Sequence, residues 1–98
     1  MTAKLTKWDS AEHLKSDEDI AAYLDACFEE AGDDAAFIAH ALGVVARAKG
    51  MTQLAKQTGL GRESLYKALS DGAKPRYDTV LKVMRALGVK LHAEPINA

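Results

Sequence analysis

The chain has 98 residues, enough for one compact domain with a single core and little margin for a second. It is 48% hydrophobic and 28% charged with only two prolines, a composition that excludes a disordered tail or a low-complexity linker. The formal net charge of −1 hides a division: residues 1–50 carry five basic side chains against ten carboxylates, net −5, and residues 51–98 carry eight against four, net +4. That division is either a chance asymmetry of a small domain or a sign that the halves face different partners.

The first segment, "MTAKLTKWDSAEHL", is a short amphipathic start in which Leu5, Trp8 and Leu14 are apolar, and Trp8 reads either as a lid on the core or as an aromatic for a partner. Ser16 followed by Asp17, Glu18 and Asp19 then has the form of a helix N-terminus with a capping box. Ile20, Tyr23, Leu24, Cys27, Phe28 and Ala31 share one helical face up to Gly32. Asp33 or Asp34 caps a second helix, in which Ile38, Ala41, Leu42, Val45 and Ala48 repeat the periodicity up to Gly50.

Thr52 is the expected cap of a short third helix over "QLAKQT", which Gly59 ends. A fourth short helix is expected from Arg62 to Leu69 or Ser70, and "DGAKPRY" reads as a loop because Asp71-Gly72 and Pro75 oppose helix. Asp78 caps the last helix, 78–88, where Val80, Val83, Met84 and Leu87 share a face before Gly88. Residues 89–94, "VKLHAE", alternate Val89, Leu91 and Ala93 with Lys90, His92 and Glu94, a period of two that predicts a strand ended by Pro95. A lone strand leaves its backbone groups unpaired, so a second copy of the chain or another protein is expected to pair with it, with Val89, Leu91 and Ala93 as dimerisation residues.

Residues 51–70 carry a pattern with chemical meaning. A helix-turn-helix needs a small residue where its two helices cross, a turn residue that tolerates positive φ, and an apolar anchor on the second helix; Ala55, Gly59 and Leu65 stand in those places. With Leu65, Ala68 and Leu69 inward, Arg62, Glu63, Ser64, Tyr66 and Lys67 are left for the outer side. Arginine can bridge O6 and N7 of guanine, and glutamate can accept from cytosine N4, in a major groove. Lys67 is placed for a base or a phosphate, and Tyr66 for a thymine methyl or a backbone sugar. Gln53, Lys56, Lys74 and Arg76 flank this helix as candidate backbone contacts. An ordinary helical hairpin with a solvated charged face is the bland alternative, and the flanking cations weigh against it.

Residues 44–91, and within them "GLGRESLYKALS" followed by Pro75 and "VLKVMRALG", resemble the lambda-repressor-like (XRE) helix-turn-helix class. Together with the upstream "WDSAEHLKSDEDIAAYLDACFEEAGDDAAFIAHALG", they look like the addiction-module antidote proteins. The resemblance implies a HigA-like antitoxin of a type II pair, which binds a RelE/HigB-like toxin and represses its own operon as a homodimer on operator DNA. At Gly61 the chain departs from the wider class, where many relatives have a Ser or Thr cap. Gln53 also stands directly before Leu54-Ala55, two residues nearer than is usual, which leaves its phosphate role open.

Other chemistry finds little support. His13, His40, His92 and Cys27 have none of the short paired spacings of a zinc site. Glu29-Glu30 and Asp33-Asp34 are adjacent pairs at helix ends, where acids serve caps and solubility, and Ser64 has no His-Asp pattern. No enzyme, cofactor or small-molecule substrate is expected, and the want of an apolar run of roughly 18 residues or of a signal-peptide core predicts a cytoplasmic chain with no membrane partner. The expectation is one all-α domain over 1–98: acidic helices with an N-terminal helical extension over 1–50, a helix-turn-helix, a last helix and a short C-terminal strand. Its function is sequence-specific repression by an antitoxin; the alternatives are an orphan or phage-type regulator without a toxin, or mainly a toxin-neutralising interaction module.

Overall fold

The computed structural model describes residues 14–96, so Leu5, Trp8, the expected N-terminal helical extension and His13 lie outside the described residues. Among the described residues there are five helices: α1 (Asp17–Ala31), α2 (Ala35–Lys49), α3 (Met51–Thr58), α4 (Arg62–Ala68) and α5 (Tyr77–Ala86).

Helix α1 begins as its sequence dictates. The Ser16 hydroxyl accepts from the Asp19 amide at 3.1 Å, and the Asp19 carboxylate accepts in turn from the Ser16 amide at 3.3 Å, so two otherwise orphaned donors are satisfied reciprocally. Ile20, Tyr23, Leu24 and Cys27 bury the face predicted for them, and α1 lies along α2. Of the two candidate caps for α2, Asp34 does the work, its carboxylate accepting from the Phe37 amide at 3.2 Å.

Two caps differ from expectation. Helix α3 starts at Met51, with Gly50 and not Thr52 as its N-cap; Thr52 is already helical and exposed. Gly50 has φ 110° and ψ 113°, which lets one residue close α2, where its amide donates to the Ala46 carbonyl, and open α3. Side-chain preference alone favours a β-branched cap two residues later, but the backbone freedom of glycine takes precedence. Helix α5 likewise starts at Tyr77 with Arg76 at the cap, so Asp78 sits in the first turn, where its charge favours the helix end without capping it.

The short pair α3 and α4 is fixed by its turn. Gly59 is left-handed at φ 77°, and its amide donates to the Ala55 carbonyl. The Thr58 hydroxyl donates to the same Ala55 carbonyl at 3.1 Å and accepts from the Leu60 amide at 3.2 Å, bracing the turn on both sides. Ala55, Leu65 and Leu69 are buried as the pattern requires. A contact that the sequence did not announce holds α4 against α2: a Cβ built on Gly43 would lie 2.9 Å from the Leu69 carbonyl oxygen, so only glycine admits this approach. Leu42, Val45, Leu54, Leu65, Val83 and Leu87 form the centre of the core between α2, α3, α4 and α5.

The expected strand over 89–94 is absent: the chain after α5 has no regular secondary structure. Helix α5 ends in a Schellman arrangement, Val89 amide to Met84 carbonyl and Gly88 amide to Arg85 carbonyl, both 3.1 Å, with Gly88 at φ 86°. Beyond Val89 there is no neighbouring strand among the described residues, and a ladder needs one. Val89 packs against the core, whereas Leu91 and Ala93 are exposed.

Candidate nucleic-acid interface

Helix α4 is seven residues long and divides cleanly. Leu65 is wholly buried and Leu69 nearly so, while Arg62, Glu63, Ser64, Tyr66 and Lys67 are exposed. The buried pair anchors the helix to the core, so the remaining side chains project as one row of donors and acceptors. Gly61 at the cap supplies no side-chain hydrogen bond.

Within that row, Arg62 and Tyr66 form a pair. The Arg62 guanidinium donates to the Tyr66 hydroxyl at 3.3 Å and its carbon lies 5.5 Å from the ring centroid, the one-turn spacing that brings i and i+4 together. Tyr66 keeps 42% of its surface exposed. The hydroxyl that accepts from arginine retains its own proton to donate, so the pair offers the remaining guanidinium N–H groups and one O–H outward.

The flanking cations lie where the sequence put them. Gln53 and Lys56 are exposed on α3, and Lys74 and Arg76 on the 70–76 loop. Among the described residues Lys56, Arg62, Lys67 and Lys74 take part in no ion pair; Arg76 approaches Asp78 at 3.4 Å. The acid of the same loop is drawn elsewhere: Asp71 meets the His40 ring on α2 at 3.1 Å, which ties the loop's first turn to the core. Residues 53–76 thus present five cations and two carboxylates, and one of those carboxylates has a partner outside the segment.

Sequence reasoning missed Tyr77, whose side chain is 70% exposed at the start of α5 beside Arg76. The signal is an aromatic next to "KPR", which the expected cap at Asp78 leaves in the loop. It also missed Gly43, which positions α4 from beneath. A glycine inside a helical pattern reads only as a cost until its neighbour is known.

The other candidates for chemistry are dispersed. Cys27 is wholly buried on α1, His40 is half-buried against Asp71, and His92 meets Glu94 at 3.4 Å on the tail. Among the described residues no three His, Cys, Asp or Glu side chains are placed to hold a metal, and no helix is long and apolar enough to cross a membrane.

The family model for "probable addiction module antidote protein" matches residues 4–95. The chain belongs to that family. An uncharacterized protein of Haemophilus influenzae is 45% identical over 94 residues, covering 96% of this chain and 95% of the relative. No solved structure matches the chain. The antidote family is described by what its members counter, so it places a toxin opposite the antidote in general terms.

Proposed function

We propose that this antidote is a sequence-specific DNA-binding repressor that, as a homodimer, controls its own operon and neutralises a RelE/HigB-like toxin. The observation that carries the DNA reading is the outward row of α4, led by an arginine with no acidic partner and flanked by Lys56, Lys74 and Arg76. In this reading α3 and α4 are a helix-turn-helix of the lambda-repressor-like class. Helix α4 enters the major groove, Arg62 bridges a guanine edge, Glu63 accepts from cytosine, and Ser64 and Lys67 serve base or phosphate. Lys56, Lys74, Arg76 and Gln53 hold the backbone, which fixes register without reading sequence. Two copies place their α4 helices roughly 34 Å apart on a palindromic site.

Selection of an operator from random duplex, followed by footprinting with wild-type and variant protein, tests site, symmetry and spacing together. Arg62→Ala is expected to weaken specific binding by about 1–3 kcal/mol and to relax one base position, whereas Lys74→Ala weakens all sequences alike and lowers the salt slope by about one. Equal operator affinity and selectivity in Arg62→Ala and wild type would remove α4 from the reading role.

A second reading, in which neutralisation of the toxin is the main activity, is favoured by one observation. Residues 1–50 carry net −5, and on α1 Asp25, Glu29 and Glu30 are exposed with no ion pair among the described residues. That charge suits a cationic partner. A chain that binds no protein from its own operon yet selects an operator would be an orphan or phage-type regulator.

A further inference from the structure

The tail after α5 has an alternating sequence and no strand. Val89 is held by the hydrogen bond its amide donates to the Met84 carbonyl, but residues 90–96 are all exposed and make no backbone hydrogen bonds among the described residues. Beside them runs a groove whose apolar floor is Ala21, Leu24 and Phe28 of α1, flanked by Asp25 and Glu29, with residues 89–94 along its edge. The His92 ring meets the Glu94 carboxylate two residues on, the same-side relation that extended backbone gives.

We propose that residues 89–94 pair antiparallel with the same residues of a second copy, about a two-fold axis at His92. The sequence is self-complementary about that point. Lys90 of each copy then lies opposite Glu94 of the other, giving two cross-strand ion pairs, and Leu91 lies opposite Ala93. Opposed residues share a face, so Val89, Leu91 and Ala93 of both copies cover the apolar side toward the α1 groove while Lys90, His92 and Glu94 face water. Proline is compatible with this register. If His92, Lys90 and Glu94 occupy hydrogen-bonded positions, Pro95 falls opposite Val89 at a non-hydrogen-bonded one, where its missing N–H costs nothing. Centring the axis one residue to either side breaks the lysine–glutamate pairing. A two-stranded ribbon is marginal alone, and the groove floor supplies the packing it needs.

The biological use of this dimer rests on the repressor reading above, but the pairing itself is tested without DNA. Sedimentation equilibrium on the full chain is expected to show a dimer. Lys90→Glu and Glu94→Lys should each raise its dissociation constant roughly tenfold, because each substitution opposes like charges in both symmetric pairs. The double variant K90E/E94K should return it to near the wild-type value. On oxidation, His92→Cys should form an intermolecular disulfide efficiently, since the axis brings its two Cα atoms to about 5.5 Å, and Lys90→Cys should not. Circular dichroism of these surface variants separates loss of pairing from loss of fold. A monomeric wild type, a dimer insensitive to the single charge changes, or a double variant with no recovery would each overturn the proposal, a monomer leaving the tail to a toxin. Operator selection that fails with a dimer intact would instead overturn the repressor reading alone.

Discussion

Arg62 is long, flexible and costly to order, carrying about 2 kcal/mol of rotamer entropy when free. Its contact with Tyr66 restrains it before any partner arrives, through a hydroxyl at 3.3 Å and a ring face at 5.5 Å. An exposed contact of this kind is worth about 0.5–1 kcal/mol, so its effect is a few-fold in binding and not orders of magnitude. Tyr66→Phe keeps the ring and loses the hydroxyl. Because the ring contact survives, titration against the selected operator is expected to show a loss smaller than about five-fold, and no further loss when Tyr66→Phe is added to Arg62→Ala. Additive losses would mean that Tyr66 meets DNA independently. The outward residues of α4 were legible in the sequence because one buried leucine fixes the rotation of so short a helix. Their mutual contact was not, since spacing permits an i,i+4 pair but does not require it.

At the scale of elements, boundaries were legible where side chains make them and obscure where backbone does. Ser16 and Asp34 cap as their chemistry predicts, whereas Gly50 displaces Thr52 and Arg76 displaces Asp78. The approach of α2 to α4 belongs to the second kind. Gly43→Ala should add about 1 kcal/mol of helix propensity and lose about 1–3 kcal/mol to overpacking against the Leu69 carbonyl. The expected net effect is destabilisation, read as a lower urea midpoint at unchanged slope. Because the obstructing atom is backbone at the C-cap of α4, relief requires that helix end to shift. A second signature is therefore weaker operator binding by the fraction that remains folded. The tail failed as a strand for a reason outside the chain: period-two alternation reports a face that needs covering, and a single copy has nothing beside it to complete a ladder.

Over the whole molecule, part of the charge division falls on different helices: Lys56, Arg62, Lys67 and Lys74, on and around α4, and Asp25, Glu29 and Glu30, on α1, take part in no ion pair among the described residues. Replacing Glu30, which lies outside the groove beside the tail, by lysine should slow association with a cationic toxin, more at low salt than at high, and leave operator affinity nearly unchanged. Stopped-flow association and operator titration on the same preparation measure both; equal toxin rates for variant and wild type would exclude α1 as the steering face. The joint between the acidic and basic halves of the chain is Gly50, one residue at φ 110° that ends α2 and begins α3. Such a joint has no slack. Each residue added within a helix turns everything beyond it by about 100°, so an insertion beside Gly50 would swing the α4 row away from its setting while leaving every residue of that row intact. Length variation in descendants of this chain is therefore excluded at residue 50.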